Sequence, residues 1–308
     1  MNPAVILLAL GAAGLHAGWN VLISSSADPI RVATRALAAS ALVIGPLTLG
    51  AWLVLGRPGL PPAAWGILAT SAAVETAYFA FLSRAYRAGT LSEVYPIARG
   101  TGPLVAVAGG LLVLGERLSA AELAGVALLL AGIWAVRAPR LRSLTSARRR
   151  PVAGLRSALL TGVCIGLYTM LDRAGVRLGT AWLYGGWLWI AMAVFLTGWT
   201  GARPLLAPLP GGAVPAGSPA VGSGWQGAFE PDGWAGAGLI GLLMAAAYGM
   251  ALAALSLAPA AVVAPLRESG VVLVTAWGVW RLREREGALR RLTGASLIVA
   301  GVGLIAAG

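Results

Sequence analysis

The sequence predicts an all-α integral membrane protein whose ten transmembrane helices form two inverted five-helix repeats. Three observations lead there. Of 308 residues, 58% are hydrophobic and only 11% charged, with a mean hydropathy of +0.81, whereas a soluble domain carries about 25% charged residues. Apolar runs of about 20 residues, long enough to cross a roughly 30 Å hydrocarbon layer as a helix, recur ten times along the chain. Landmark residues of the first half also recur in the second at a nearly constant offset.

The ten runs lie at 4–23, 36–56, 63–83, 93–114, 121–137, 154–172, 181–199, 234–257, 260–280 and 292–307. The first reads as a membrane span and not a signal peptide, because it lacks a basic n-region and runs too long before a polar break. Short connections after spans 1 to 4 keep consecutive helices antiparallel and adjacent. Span 5 is followed by a basic linker that includes Arg148, Arg149 and Arg150. Spans 7 and 8 are separated by 200–233, a Gly/Pro/Ala-rich stretch without periodicity that reads as an insertion and not a lid, since it carries little beyond Trp225, Glu230 and Asp232. The organisation is therefore a first unit at 1–137, a linker at 138–153 and a second unit at 154–308. Backbone amides cannot stay unpaired in lipid, so spans of this length are helices. The short alternating strands of a β-barrel are not what these runs look like.

The charge balance narrows the chemistry. The formal net charge is +12, and all 23 basic residues are arginine. Without lysine there is no phosphate loop ending in Gly-Lys-Ser/Thr, no pyridoxal Schiff base and no lysine nucleophile. One cysteine, Cys164, and one histidine, His16, cannot form an intrachain disulfide or a Cys/His zinc cluster. No cofactor, metal or enzymatic activity is expected. A basic protein of this kind lacks the soluble face on which nucleic acid would be bound.

The internal repeat is read from paired landmarks. Ala77-Tyr78 recurs as Ala247-Tyr248 at an offset of 170, Pro96 as Pro265 and Gly125 as Gly294 at 169, and Gly14, His16 and Asn20 as Gly166, Tyr168 and Asp172 at 152. The surplus falls where 200–233 is inserted. Each half holds five spans, an odd number, so the second half crosses the membrane in the opposite sense. Inverted repeats are the recurring plan of secondary transporters, with the substrate site near the midplane between the halves.

These segments also carry a family resemblance. His16-Ala17-Gly18-Trp19-Asn20, Val94-Tyr95-Pro96-Ile97-Ala98-Arg99-Gly100 with Pro103, Leu114-Gly115-Glu116-Arg117-Leu118 and Gly125 resemble the EamA-type branch of the drug/metabolite transporter superfamily. The resemblance covers nearly the whole chain as two five-helix units. It implies a transporter and leaves the substrate open, because members export amino acids, metabolites or drugs. The second half departs from the pattern at Arg283-Glu284-Arg285-Glu286-Gly287, where a Gly-Glu-Arg turn would stand.

A charge at bilayer depth is costly unless paired or facing water, so each is a functional candidate. His16 and Asn20 lie one turn apart on span 1, beside Gly14 and Gly18, whose spacing suits close helix contact. Imidazole titrates near neutrality, which makes His16 a proton-coupling candidate, as is Glu75 in span 3. Arg99 is the repeat mate of Glu268, so the two halves place opposite charges at equivalent depth, and the pseudo-two-fold axis could bring them together. Arg99 can hold a carboxylate or phosphate bidentately, with Glu268 or Glu75 exchanging the coupling proton; a structural salt bridge is the competing reading. Trp19, Asn20, Tyr78, Tyr95, Tyr248 and Arg267 complete the substrate-binding candidates. Pro96 and Pro265 are expected to open the helices near the site. Asp172 and Arg173, close to the end of span 6, read equally well as snorkelling interfacial residues. Gly115-Glu116-Arg117 reads as turn geometry and capping.

The resemblance implies cytoplasmic termini. The arginines point the other way: Arg57, Arg117, Arg173 and Arg177 share the side of the termini, whereas the 137–156 linker, the 281–291 turn, Arg31, Arg35, Arg84, Arg87 and Arg203 lie opposite, and positive charge is retained in the cytoplasm. The expected function is secondary transport, in the exporting sense of the family, of a small anionic or zwitterionic metabolite across a cell membrane, plasma or inner, with a homodimer compatible. The alternatives are a lipid or polyprenyl-phosphate enzyme, for which no acidic cluster is found, and a scaffold docked through its basic linker on anionic lipid.

Overall fold

A computed structural model describes residues 1–24, 26, 28–88, 91–137, 154–201, 233–270 and 288–308. It contains ten helices among the described residues: α1 (Pro3–Ser24), α2 (Pro29–Val54), α3 (Pro62–Ala88), α4 (Leu91–Leu112), α5 (Ala120–Arg137), α6 (Leu155–Val176), α7 (Ala181–Thr200), α8 (Trp234–Leu257), α9 (Ala260–Glu268) and α10 (Ala288–Ala307). Six of them, α1, α2, α3, α6, α7 and α8, are long and apolar enough to cross a membrane, and shorter apolar stretches occupy Ile97–Leu112, Ala120–Val136 and Leu292–Ala307. The linker at 138–153, nearly all of the 200–233 insertion and the Arg283–Glu286 turn lie outside the described residues.

Helix ends follow local chemistry. Asp28 caps α2, its carboxylate accepting from the Arg31 amide at 3.3 Å with Pro29 at the first helical position. Ser119 and Glu122 form a reciprocal capping box at α5, with Ser119 N to Glu122 Oε2 at 2.8 Å and Glu122 N to Ser119 Oγ at 3.2 Å. Gly115, at φ +63, turns the chain from α4 toward α5.

Two local expectations are corrected. α4 runs unbroken through Pro96, since a proline costs one donor, and neighbouring helices cover such a defect in a membrane protein. Of the span expected at 260–280, α9 covers Ala260–Glu268, the Ser269 amide and hydroxyl both turn back to the Leu266 carbonyl, at 3.2 and 2.6 Å, and residues 271–280 lie outside the described residues. Arg31 and Arg35, counted above as connection charges, are buried in the first turns of α2, with Arg35 stacked 5.3 Å over the Trp234 ring. The N-terminal caps pull the start of α2 back to Pro29 and bring both arginines inside.

The most extensive helix packing joins residues 1–137 to residues 154–308. α1 packs on α8, α2 on α7 and α8, α3 on α6 and α7, α4 on α6 and α9, and α5 on α10. The larger buried cluster joins α1, α2, α3, α6, α7 and α8 through residues such as Trp19, Leu37, Tyr78, Leu188 and Leu252. A second joins Val126, Leu129 and Ile133 of α5 to Ile298 and Ile305 of α10. Leu42, Val54, Leu112 and Val299 stay exposed on the outside, the apolar belt that lipid would cover.

The α5–α10 crossing depends on glycine. A Cβ at Gly125 would lie 2.7 Å from the Gly301 carbonyl and one at Gly301 2.6 Å from that of Gly125; Gly132 and Gly294 oppose each other in the same way, at 2.6 and 2.9 Å. The backbones touch, as small residues permit between membrane helices. Gly18, expected at a close contact, faces open space, and α1 instead meets Met250 of α8 at Gly11. Gly301→Leu should lower the apparent unfolding temperature in detergent, at a cost of about 1–3 kcal/mol from overpacking, whereas Gly303→Leu, with nothing near its Cβ position, should leave it close to wild type.

Candidate functional site

Three polar clusters occupy the interface between the two halves. In the first, α4 carries Arg99, α9 carries Glu268 and α1 carries His16. Arg99 Nη1 lies 3.0 Å from Glu268 Oε1, with side chains 6% and 9% exposed. The other guanidinium arm, Nη2, contacts His16 Nε2. A guanidinium only donates, so Nε2 accepts and the imidazole proton resides on Nδ1. Trp19 packs edge-on against the His16 ring at 4.6 Å.

The second cluster centres on Asp172 of α6, which is 1% exposed. Its Oδ1 accepts from Ser71 Oγ of α3 at 2.7 Å and Tyr184 OH of α7 at 3.1 Å, and its Oδ2 accepts from Tyr248 OH of α8. Four helices thus meet on one carboxylate. The snorkelling reading of Asp172 is corrected, because α6 continues to Val176 and is enclosed there by α3, α7 and α8.

Between these clusters lies a cavity of about 30 Å³, lined by His16, Trp19, Glu75, Tyr78, Phe79, Tyr168, Trp189, Met192, Met244, Ala247, Tyr248 and Arg267. It has room for a water molecule or two and must widen to admit a metabolite. Its wall is largely aromatic: the Tyr78–Tyr168, Tyr168–Tyr248 and Trp189–Tyr248 ring pairs stand 6.0–6.3 Å apart. Glu75 is 5% exposed, and its Oε1 accepts no hydrogen bond among the described residues. A smaller void of about 10 Å³ adjoins, with Tyr168 and Arg267 lining both and Glu268 on its wall.

The third cluster straps one end of the bundle. Glu116, in the α4–α5 turn, accepts from the amides of Ala260 and Ala261 at the start of α9, at 2.7 and 3.0 Å, and pairs with Arg173 Nε at 3.2 Å. Arg173 in turn donates through Nη1 to the Leu255 carbonyl near the end of α8. Glu116 does cap, as the turn motif suggested, but the helix it caps belongs to the other half. A carboxylate suits the free amides and positive end of that helix. Arg173 is corrected with it, from a snorkelling residue to a tie between α6, α8 and the α4–α5 turn.

Of the residues singled out from sequence, the structure brings Arg99, Glu268 and His16 together and places Trp19, Glu75, Tyr78, Tyr248 and Arg267 around the cavity. Asn20 is not among the lining residues, and its amide donates to the His16 carbonyl of its own helix at 2.7 Å. Tyr95 lies in α4, but its side chain is outside what is described. Sequence reasoning passed over Tyr168 and Trp189 and left Asp172 between an interfacial residue and a site. The signal for Asp172 and Tyr168 was present, since they are the repeat mates of Asn20 and His16. No group of three or more His, Cys, Asp and Glu that could hold a metal gathers among the described residues.

Ten helices among the described residues, with an apolar exterior and charged and hydrogen-bonded side chains enclosed between two halves of the chain, define a multi-pass helical membrane protein. Within that class, residues 3–138 match the model of the EamA-like transporter family, part of the drug/metabolite transporter superfamily. A solved crystal structure, described only as that of a protein, is similar over 99% of both chains with a TM-score of 0.71 at 17% identity, a likeness of fold. Comparison with curated proteins gives no match.

The strap yields a stability test. Glu116→Ala leaves two amides and Arg173 Nε without their acceptor and the guanidinium without its counter-charge, and should cost about 3–5 kcal/mol, read as a lowered unfolding temperature. Glu122→Ala, which removes only an exposed capping box, should cost about 1 kcal/mol.

Proposed function

We propose that the protein is a secondary active transporter of the exporting type, carrying a small anionic or zwitterionic metabolite across the cell membrane by alternating access between two inverted five-helix repeats. The observation that carries this reading is the buried Arg99–Glu268 pair, one charge from each half, beside a cavity at the middle of the helices. The inverted arrangement is supported by the buried pairing of the sequence mates Arg99 and Glu268, and by a helix crossing at which Gly125 meets Gly301 and Gly132 meets Gly294, so that residues 169 apart exchange places across it.

The geometry suggests how substrate and conformation are linked. Arg99 and Arg267 receive the negative group of the substrate, and the aromatic wall with Met192 and Met244 receives its apolar part. An anion reaching Arg99 competes with Glu268 for the guanidinium. Breaking that pair loosens the contact between the halves at the moment the substrate is seated, and it leaves Glu268 able to take a proton. Glu75 and His16, on the same cavity, are the other proton-exchanging groups. Binding energy is thereby directed to a change between two states, as alternating access requires.

Counterflow in proteoliposomes loaded with a panel of amino acids and organic acids should give saturable exchange for at least one member. Arg267→Ala should abolish that exchange at unchanged thermal stability, and Glu75→Gln should flatten its pH dependence. Exchange that ignores both substitutions would refute the site; no saturable exchange across a broad panel would refute the transport reading.

A further inference from the structure

We propose that Glu75 is the subsite for an ammonium group, so that the cavity takes a zwitterion with an apolar body and rejects a plain organic anion. The inference rests on the transport reading of this cavity and narrows the substrate class given there. Glu75 stands near the middle of α3, is 5% exposed and lines the cavity. Its Oε1 is buried and accepts no hydrogen bond among the described residues. A carboxylate oxygen left open at bilayer depth is costly, and it marks a place where a donor arrives with the ligand. Arg267 of α9 lines the same cavity. Two opposite charges thus border one small space from two different helices, which matches a ligand carrying both an ammonium and a carboxylate.

The neutral part of the wall favours an ammonium beside Glu75. Two of its polar hydrogens are already turned elsewhere: Tyr248 OH donates to Asp172 Oδ2, and Trp189 Nε1 donates to Ser40 Oγ at 3.0 Å. Both side chains still line the cavity, where they offer π-electrons and, on Tyr248, an oxygen lone pair. Tyr78 and Tyr168 add two more rings, edge to face at 6.2 Å. Aromatic faces attract a cation within about 6 Å, and an ammonium is a pure donor with no lone pair of its own. A carboxylate or phosphate in that place would meet Glu75 with like charge, and it is directed to Arg267 instead. Asp172 is a positioning residue: by holding the Tyr248 proton it keeps that stretch of wall an acceptor. Met192 and Met244 leave a deformable apolar surface for the body of the ligand.

Thermal unfolding of the full chain in detergent, titrated with three compounds that share one isobutyl body, reads the charge preference without any transport step. Leucine carries both charges, isoamylamine only the ammonium and isocaproate only the carboxylate. Leucine should raise the unfolding temperature saturably, isoamylamine should do so at higher concentration, and isocaproate should have no effect. Glu75→Gln, which keeps the shape and removes the charge, should weaken the leucine response by roughly tenfold or more. Arg267→Ala should make leucine no better than isoamylamine. Equal responses to leucine and isocaproate, or no saturable response to leucine, would overturn the proposal on the wild-type protein alone, whatever the variants do in folding. An undiminished leucine response in folded Glu75→Gln would overturn it equally. Leucine binding without counterflow of any amino acid counts against transport alone, whereas counterflow of organic acids without amine binding counts against the ammonium subsite alone.

Discussion

The Arg99–Glu268 pair is the interaction on which the rest of the structure turns. A guanidinium in the middle of a membrane helix is tolerable only with a counter-charge and filled donor positions, and here the counter-charge comes from α9 in the other half and the second acceptor is His16. That requirement fixes how α1, α4 and α9 meet. It also sets the position of the cavity, because the ring of Trp19, edge-on to His16, and the side chain of Arg267, adjacent to Glu268, are carried to its wall by two of these helices, α1 and α9.

Outside that centre, the two halves are held by contacts of very different softness. The α5–α10 crossing is backbone against backbone at four glycines, a rigid join with no room to slide. The Asp172 cluster and the Glu116 strap are polar, made of hydroxyls, amides and one ion pair, and can be exchanged for water or for one another at modest cost. A bundle tightly fixed at one seam and held elsewhere by replaceable polar ties is mechanically suited to open beside the ties. The small cavity lies among these ties, away from the glycine seam.

Much of this was legible in the sequence. Hydropathy gave the all-helical membrane class, because burial against lipid leaves a signal in composition alone. The offset of 169 singled out Arg99 and Glu268 before any geometry was known, and Gly125 with Gly294 fell on what proved to be the tightest crossing. Asp172 was misread because distance from a helix end was taken for distance from water. Three neighbouring helices enclose it, and enclosure by helices remote in sequence leaves no periodicity to read. Glu116 was recognised as a capping residue, yet the helix it caps is more than 140 residues away, a pairing that no local pattern encodes. Asn20 was drawn into the site by its spacing from His16, but a short amide in a helix readily bonds its own backbone.

The central claim is that the positive charge of α4 and the negative charge of α9 act on each other across the interface between the halves, and the most direct measurement is a charge-swap cycle. Thermal stability would be determined for Arg99→Glu, Glu268→Arg and the double swap. Each single swap sets two like charges together in a buried site, so both should be severely destabilised, and the double swap should recover a large part of the loss, giving a coupling of about 1–3 kcal/mol or more between the two sites. A double swap whose loss equals the sum of the single losses would show that the two charges do not interact and would contradict the account.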